Sequence, residues 1–193
     1  MPPDQPVGPD DAQLVARSLK HDHEAFGQLI ERHASTIVNL AYRMVGNRAE
    51  AEDLAQETFL TAFKALSTFR EDSKFSTWLY RIGVNKCKDW LRAKRPGKGP
   101  ADLDADEALD RHVAETRTPE RLLSQQQVAQ ELDQAIARLP PLYREAFVLK
   151  HVEGFSYEEM QAVLGVSTDT LKMRVYKGRV QLSRELAALD PTR

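Results

Sequence analysis

Charged side chains recur at helical spacing in two neighbouring stretches of the chain, and the two stretches have opposite sign. Glu50, Asp53 and Glu57 follow steps of three and four residues, which places three carboxylates on one face of a helix. A row of cations with one amide set into it follows further along the chain: Lys74, Arg81, Asn85, Lys88, Arg92 and Arg95. Cations in a row bind phosphate groups, whereas an acidic face repels them. The pattern therefore predicts two different partners.

Neither stretch has the residue types or the spacing of a catalytic site. Carboxylates that share one helical face are poorly placed for acid–base work on a substrate. The chain has no glycine-rich phosphate loop, no nucleophile elbow and no cysteine–histidine cluster. His21 and His23 have no third metal ligand nearby in sequence and are typical of a polar turn, while the single Cys87 excludes an internal disulfide. We expect no enzyme activity, no metal and no cofactor.

Composition indicates a reducing compartment, and the net charge hides local patches. The 193 residues carry a formal net charge of −2, with 41% hydrophobic and 29% charged residues. The first residues show no cationic segment followed by an apolar one, and no apolar run reaches the length of a membrane span, so we expect a cytoplasmic location. A slightly acidic chain argues against strong DNA binding on its own. Cations nevertheless concentrate in residues 74–98 and 172–184.

Apolar residues recur every three to four positions over most of the chain, and no stretch sustains the alternation typical of a strand. The predicted fold class is all-α, with two small helical domains joined by a flexible linker and a helix-turn-helix in the second. Glycine and proline in residues 96–100 end the first domain. The predicted boundaries are a disordered tail at 1–9, the first domain at 10–95, an acidic linker at 96–121 and the second domain at 122–193.

The C-terminal residues have the pattern of a helix-turn-helix. Ser156 and Glu159 match the capping box that begins a helix, and Gly165 permits a tight turn. Ser167 can then cap the last helix. The predicted outer face of that helix is basic and aromatic, with Lys172, Met173, Tyr176, Lys177 and Arg184. Such a face favours contact with DNA, although lysine and arginine are also common on hydrated helix surfaces.

The loop before the cationic row and the acidic helix each allow two interpretations. Phe69, Phe75 and Trp78 are suited to stacking on an unpaired base, but their periodicity favours the core. The amide of Asn85 can read a base edge, whereas lysine mainly contacts phosphate. On the acidic helix, Gln56 beside the carboxylates favours a protein-contact surface over a merely hydrated one.

Two separate motifs resemble the conserved regions of extracytoplasmic-function (ECF) sigma factors. Residues 51–59 and 69–85 resemble region 2 and read AEDLAQETF and FREDSKFSTWLYRIGVN. Residues 139–179 resemble region 4 and include LPP, SYEEM and TLKMRVYKGR. Two motifs in the right order are highly specific, whereas a lone helix-turn-helix is not. The resemblance covers nearly all of the chain except the tail and the linker.

The resemblance implies a dissociable subunit of bacterial RNA polymerase that binds the core enzyme, recognises the −10 and −35 promoter elements and directs transcription initiation. It also implies an anti-sigma factor that holds this activity off. The residues implied to bind the clamp helices of the largest polymerase subunit are Asp53, Gln56 and Glu57. Those implied to bind the −10 element are Phe69, Arg70, Asp72, Ser73, Lys74, Trp78, Arg81, Asn85, Lys88 and Arg92. Those implied to bind the −35 element are Ser167, Thr170, Lys172, Met173, Arg174, Tyr176 and Lys177.

Three residues depart from the family pattern: Ala55, Gln161 and Met173. Met173 bears on promoter preference, because a thioether packs on a thymine methyl group or a sugar rather than donating a hydrogen bond. On the residues alone, two other classes of function stay open. A stand-alone helix-turn-helix regulator would need a dimer, and the chain has no long heptad seam to form one. A protein-interaction adaptor would leave the cations unused.

Overall fold

The structure, a computed structural model, describes residues 9–70, 73–94 and 125–189, and their side chains except at 125–130, 188 and 189. The α-helices in these ranges are α1 (Asp11–Ser18), α2 (His23–Val45), α3 (Arg48–Ala65), α4 (Phe75–Ala93), α5 (Gln125–Arg138), α6 (Pro141–Phe147), α7 (Tyr157–Leu164) and α8 (Thr168–Leu189). A 3-10 turn (Leu66–Thr68) follows α3, and a π-helical turn (Val148–Val152) extends α6. These ranges contain no strand, and the all-α prediction is confirmed. The predicted tail up to residue 8 and the predicted linker lie outside the described residues.

Side-chain caps fix where the first three helices begin. The Asp10 carboxylate accepts a hydrogen bond from the backbone N–H of Gln13 at 2.8 Å, and the Gln13 side chain accepts one from the Asp10 backbone at 3.2 Å. This reciprocal pair is a capping box. Asp22 and Asn47 cap α2 and α3 with single bonds of 3.1 Å. Gly46 ends α2 with a φ of 76°, a left-handed conformation that glycine adopts without strain.

Helices α1–α4 enclose an apolar core. Its largest fully buried side chains are Leu14, Leu29, Ile37, Leu40, Met44 and Leu79. Asp11 ties α1 to α2, because its carboxylate contacts Nε2 of His33 at 2.8 Å and accepts a hydrogen bond from Arg32 at 2.6 Å. The hydrogen bond from His33, followed by that from Arg32, holds the pKa of Asp11 below its usual range against the effect of burial.

Helices α5–α8 form the second helical group, in which a glycine lets α6 and α8 approach closely. A Cβ atom at Gly178 would lie 3.1 Å from the carbonyl oxygen of Tyr143, which is tighter than ordinary packing. The Arg144 guanidinium caps the end of α5 by donating to the carbonyls of Ala137 and Leu139. The large buried side chains here are Ile136, Leu139, Leu149, Met160 and Leu171.

The two helical groups lie against each other. α4 packs on α7, and α2 packs on α5 and α6. Tyr80 of α4 packs edge-on against Phe155 with ring centroids 4.8 Å apart. Arg144 donates to the carbonyl of Met44 near the end of α2 as well, so one guanidinium joins α2 to the end of α5. The sequence motifs on α3, α4 and α8 are therefore held in one arrangement.

Candidate protein and nucleic-acid interfaces

The exposed acidic face of α3 is smaller than the sequence predicts. Asp53, Gln56 and Glu57 are exposed, as expected. Glu50, however, is turned toward the end of α4, where it accepts hydrogen bonds from Nε1 of Trp90 at 2.8 Å and from Lys94 at 3.3 Å. These two bonds, Trp90 first, lower the pKa of Glu50. The prediction of three carboxylates on one open face is therefore corrected to two, because Glu50 is used to bind α3 to α4.

Apolar side chains extend this acidic face along α3. Leu60 is 61% exposed and Phe63 is 44% exposed, although the edge of Phe63 packs on Phe26 with ring centroids 5.0 Å apart. Leu60 lies one turn beyond Gln56 and Glu57 on the same side of the helix. Exposed apolar side chains beside carboxylates and an amide are typical of a surface that binds another protein.

The cationic row on α4 is exposed along most of its length. Arg81, Asn85 and Arg92 are exposed, and Lys74 keeps 76% of its side chain accessible. Lys88 differs, because only 21% of its side chain is accessible and its Nζ lies 2.9 Å from a carboxylate oxygen of Glu145. Arg95, which the sequence places at the end of the row, lies outside the described residues.

The aromatic residues around the start of α4 divide between core and surface. Phe75 is 3% exposed and belongs to the core, as its periodicity predicts. Phe69 and Trp78 are half-buried, with ring centroids 5.3 Å apart, and they pack on Phe75 from the outer side. Arg70 beside them is exposed and Ser73 is half-buried, while Asp72 lies outside the described residues.

Helices α7 and α8 form the predicted helix-turn-helix. Ser156 and Glu159 make both hydrogen bonds of the capping box, at 2.9 and 3.1 Å, and Gly165 adopts a φ of 70° at the turn. Ser167 caps α8 by accepting a hydrogen bond from the backbone N–H of Thr170 at 3.3 Å. The prediction of this motif is confirmed residue by residue.

The outer face of α8 carries the side chains that the sequence places there. Met173 and Tyr176 are 55% and 58% exposed, and Lys172 and Lys177 are exposed beside them. The Lys177 ammonium also lies 5.5 Å from the ring centroid of Tyr143. Ser167 and Thr170 lie exposed at the start of the same helix. This face combines apolar, aromatic and cationic groups on one exposed side of the second helix of the motif.

Arg174, the remaining member of the predicted set on α8, is turned inward. Only 15% of its side chain is accessible, and its guanidinium donates to Glu145 at 3.2 Å. Glu145 is 1% exposed, and its second oxygen contacts Lys88. Burial raises the pKa of Glu145, while the charge of Lys88, and then that of Arg174, opposes this effect. One buried carboxylate thus joins a cation of α4 to a cation of α8.

Sequence reasoning missed Glu145. A signal for it exists, because Glu145 lies between Leu142, Ala146 and Leu149 on the buried side of α6. An acidic residue on a buried helical face needs a cationic partner. The partner on α4 could not be inferred from the sequence, because it requires the mutual placement of the two domains.

Family models match both halves of the chain. The Sigma-70 region 2 model matches residues 29–96, and the Sigma-70 region 4 model matches residues 129–182. RNA polymerase sigma-H factor of Pseudomonas aeruginosa is 34% identical over 183 residues, which are 93% of this chain and 95% of that protein. ECF RNA polymerase sigma factor SigW of Bacillus subtilis is 36% identical over 91% of this chain and 96% of that one. The chain belongs to the ECF sigma factor family.

Solved structures agree with the assignment of this chain to the sigma factors. CnrH in complex with the cytosolic domain of CnrY has a TM-score of 0.67 and 29% identity, covering 92% of this chain and 97% of that one. The sigma factor RpoE of Bartonella quintana, in complex with the anti-sigma factor NepR, has a TM-score of 0.62 and 26% identity, covering 83% and 96%. The resemblance stated from the two motifs is confirmed.

The matched regions place each candidate surface within the sigma factor. Region 2 runs from within α2 through α4 and includes the acidic face and the cationic row. Region 4 runs from α5 into α8 and includes the helix-turn-helix. No helix in the described part of the chain is long and apolar enough to cross a membrane.

Proposed function

We propose that this sigma factor binds core RNA polymerase through the exposed face of α3 and directs it to promoters. The observation that carries the proposal is the composition of that face: Asp53, Gln56 and Glu57 with Leu60 beside them. An acidic and apolar surface repels DNA phosphates and suits a protein partner. A regulator that acts on DNA alone has no use for such a surface. The partner is the clamp helices of the largest polymerase subunit.

The two basic surfaces contact the promoter in this proposal. On α4 and the loop before it, the cations hold the backbone of the −10 element, and Asn85 contacts a base edge. Phe69 and Trp78 supply an aromatic edge on which an unpaired base can stack. On α8, Lys172 and Lys177 with Tyr176 and Met173 face the major groove of the −35 element. The remaining residues in these roles are Arg70, Asp72, Ser73, Lys74, Arg81, Lys88, Arg92, Ser167, Thr170 and Arg174.

In this proposal the protein acts as a transcription initiation factor and not as an enzyme. Phosphodiester chemistry belongs to the polymerase, and the sigma factor supplies positioning and base recognition without a cofactor. Its place of action is the cytoplasm, where core polymerase and promoter DNA meet. The solved complex of RpoE with the anti-sigma factor NepR supports an anti-sigma factor as a further partner. A near-neutral chain fits this role because the polymerase contributes much of the affinity for DNA.

Reversing the charge of the α3 face tests the docking role. We expect Asp53→Lys combined with Glu57→Lys to weaken binding to core polymerase by more than about tenfold, since like or unpaired charges at an interface are costly. The fold should be spared, because both side chains are exposed and, among the described residues, the Lys86–Glu57 pair at 3.3 Å is the only ion pair that is lost. Binding would be measured by titration of labelled protein with core polymerase, and folding by circular dichroism.

Glu52→Lys is the matched control for this test. Glu52 lies on the same helix and is exposed, about 100° around the helix axis from Asp53 and at the edge of the face, and it pairs with Arg48 at 2.8 Å. Glu52→Lys should therefore lose much less affinity for core polymerase than the double variant does. A double variant at Asp53 and Glu57 that binds core polymerase with unchanged affinity would contradict the docking assignment.

A further inference from the structure

The methionines of this sigma factor differ sharply in exposure. The chain has four methionines and one cysteine. Met44 and Met160 are 1% and 0% exposed and belong to the apolar core, whereas Met173 on α8 is 55% exposed. Met1 lies outside the described residues. In the part of the chain that the structure describes, Met173 is therefore the one methionine whose sulfur is open to an oxidant in solution.

The cysteine does not compete with Met173 for an oxidant. Cys87 is 1% exposed, and burial raises the pKa of its thiol to about 12. Cysteine is oxidised as the thiolate, which is scarce at neutral pH when the pKa is so high. A thioether reacts without losing a proton, so the reactivity of Met173 depends on its exposure. The thioether of Met173 is thus the first target of a mild oxidant among the described residues.

Met173 lies on the side of α8 that the proposed function turns toward the −35 element. Thr170 and Tyr176 lie three positions before and after it on the same side of the helix, and both are exposed. With Lys177 of α8 and Tyr143 of α6, Met173 lines a groove between these two helices. A change in the polarity of this side chain therefore acts directly on the surface that meets the bases.

Oxidation changes what the side chain at position 173 can recognise. The thioether is apolar and suits the methyl group of thymine. Methionine sulfoxide is polar, and its oxygen accepts hydrogen bonds. That oxygen suits the amino groups that cytosine and adenine display in the major groove. Oxidation therefore removes an apolar contact with thymine and favours a different base at the same position.

We propose that Met173 is a modification site, at which oxidation to methionine sulfoxide by a peroxide weakens recognition of the −35 element. The proposal rests on the proposed role of α8 in promoter binding. In the reaction, a lone pair of the Met173 sulfur attacks one oxygen of hydrogen peroxide. The S–O bond forms as the O–O bond breaks, a proton moves to the departing oxygen, and water leaves. The sulfur is oxidised by two electrons, and the peroxide is reduced by two.

Oxidation at this position separates the two proposed roles of the protein. Met173 lies on α8, whereas the docking residues Asp53, Gln56 and Glu57 lie on α3. The Met173 side chain is exposed, so the added oxygen enters no packed core. We therefore expect the fold and the affinity for core polymerase to stay unchanged while promoter recognition falls.

Peptide mass spectrometry of the full chain after brief treatment with hydrogen peroxide tests the site. We expect the peptide with Met173 to gain one oxygen at least about tenfold faster than the peptides with Met44 and Met160, because oxidation follows exposure. Circular dichroism of the treated protein would show whether the helices are kept. Equal rates of oxidation at the three methionines would overturn the assignment of the site.

Transcription in vitro tests the consequence of the modification. The treated protein, freed of peroxide before Escherichia coli core polymerase is added, would be assayed on a fragment carrying the region upstream of the protein's own gene. Transcription should fall at least about fourfold, the equivalent of one lost methyl-sized apolar contact. Reduction by the two methionine sulfoxide reductases, one for each sulfoxide epimer, should restore it. Full transcription by protein that carries the sulfoxide at Met173 would overturn the proposal.

Met173→Leu and Met160→Leu are a matched pair of variants. Each replaces one methionine by an apolar side chain of similar size that forms no sulfoxide. Compared with its own untreated sample, Met173→Leu should transcribe equally after peroxide, whereas Met160→Leu should lose as much as the unaltered protein does. An equal loss in Met173→Leu would assign the effect to another residue and overturn the proposal. Absence of transcription with the untreated, unaltered protein would instead contradict the proposed function, and the effect of oxidation on promoter recognition would fall with it.

Discussion

At the scale of single residues, exposure separates side chains that bind partners from side chains that hold the fold. Asp53 and Glu50 lie one turn apart on α3, yet Asp53 is exposed while Glu50 is hydrogen-bonded to Trp90 and Lys94. From their spacing alone, both residues were assigned to the acidic face of α3. Helical spacing shows which residues share a face, but it does not show which neighbouring helix covers part of that face. On α8 the spacing was sufficient for Met173 and Tyr176, since both side chains stay exposed and no helix in the described ranges covers them.

Tyr176 carries the prediction for upstream-element recognition. We expect Tyr176→Ala to lower transcription from a promoter with an intact −35 element by roughly 5- to 30-fold, about 1–2 kcal/mol, because base contacts contribute on this scale. Binding to core polymerase should stay unchanged, since the residue lies on α8, away from the α3 face. Transcription on matched fragments with intact and scrambled upstream elements would measure the effect.

Ser183→Ala is a suitable comparison for Tyr176→Ala. Ser183 is exposed on the same side of α8, two turns closer to the C terminus, and has no assigned contact with DNA. The Ser183→Ala variant should prefer the intact −35 element over the scrambled one to the same extent as the unaltered protein. The role of Tyr176 would be refuted by a Tyr176→Ala variant that discriminates between the two fragments as well as the unaltered protein.

At the scale of elements, the sequence predicts helix ends better than helix contacts. The caps at Ser156 and Ser167 and the glycine turn at Gly165 were predicted from the sequence because they depend only on residues within one turn. The close approach of α6 and α8 at Gly178 was not, because it involves Tyr143, thirty-five residues earlier. A glycine inside a helical repeat indicates that another segment packs closely against the helix, but it does not identify that segment.

Gly178→Ala tests this packing. The added methyl group would press on the Tyr143 carbonyl at 3.1 Å, so we expect a loss of about 1–3 kcal/mol in the free energy of unfolding. Gly27→Ala is the matched control, because nothing lies within 4 Å of its added methyl group in α2. That variant should gain about 0.4–1 kcal/mol by restricting the unfolded chain. Urea unfolding would measure both, and a Gly178→Ala variant as stable as the unaltered protein would show that α8 can shift at no cost.

At the scale of the whole molecule, the fold class and the two regions follow from the sequence, but the arrangement of the regions does not. Helical repeats and the two motifs specify all-α domains of the ECF type, which the relatives and solved structures confirm. Contacts such as Lys88–Glu145 and Arg43–Asp133 join residues far apart in sequence. Local spacing carries no information about such pairs. At this scale acids of the second domain face cations of the first, as in the pairs Lys74–Glu159 and Lys88–Glu145.

Transcription in vitro tests the central claim most directly. Purified Escherichia coli core polymerase would be mixed with a DNA fragment carrying the region upstream of this sigma factor's own gene, with and without the protein. We predict discrete transcripts that appear only when the protein is present and that disappear with the Asp53→Lys, Glu57→Lys variant. A sharp footprint by the protein alone on the same fragment, with no stimulation of the polymerase, would contradict the account and indicate a stand-alone DNA-binding regulator.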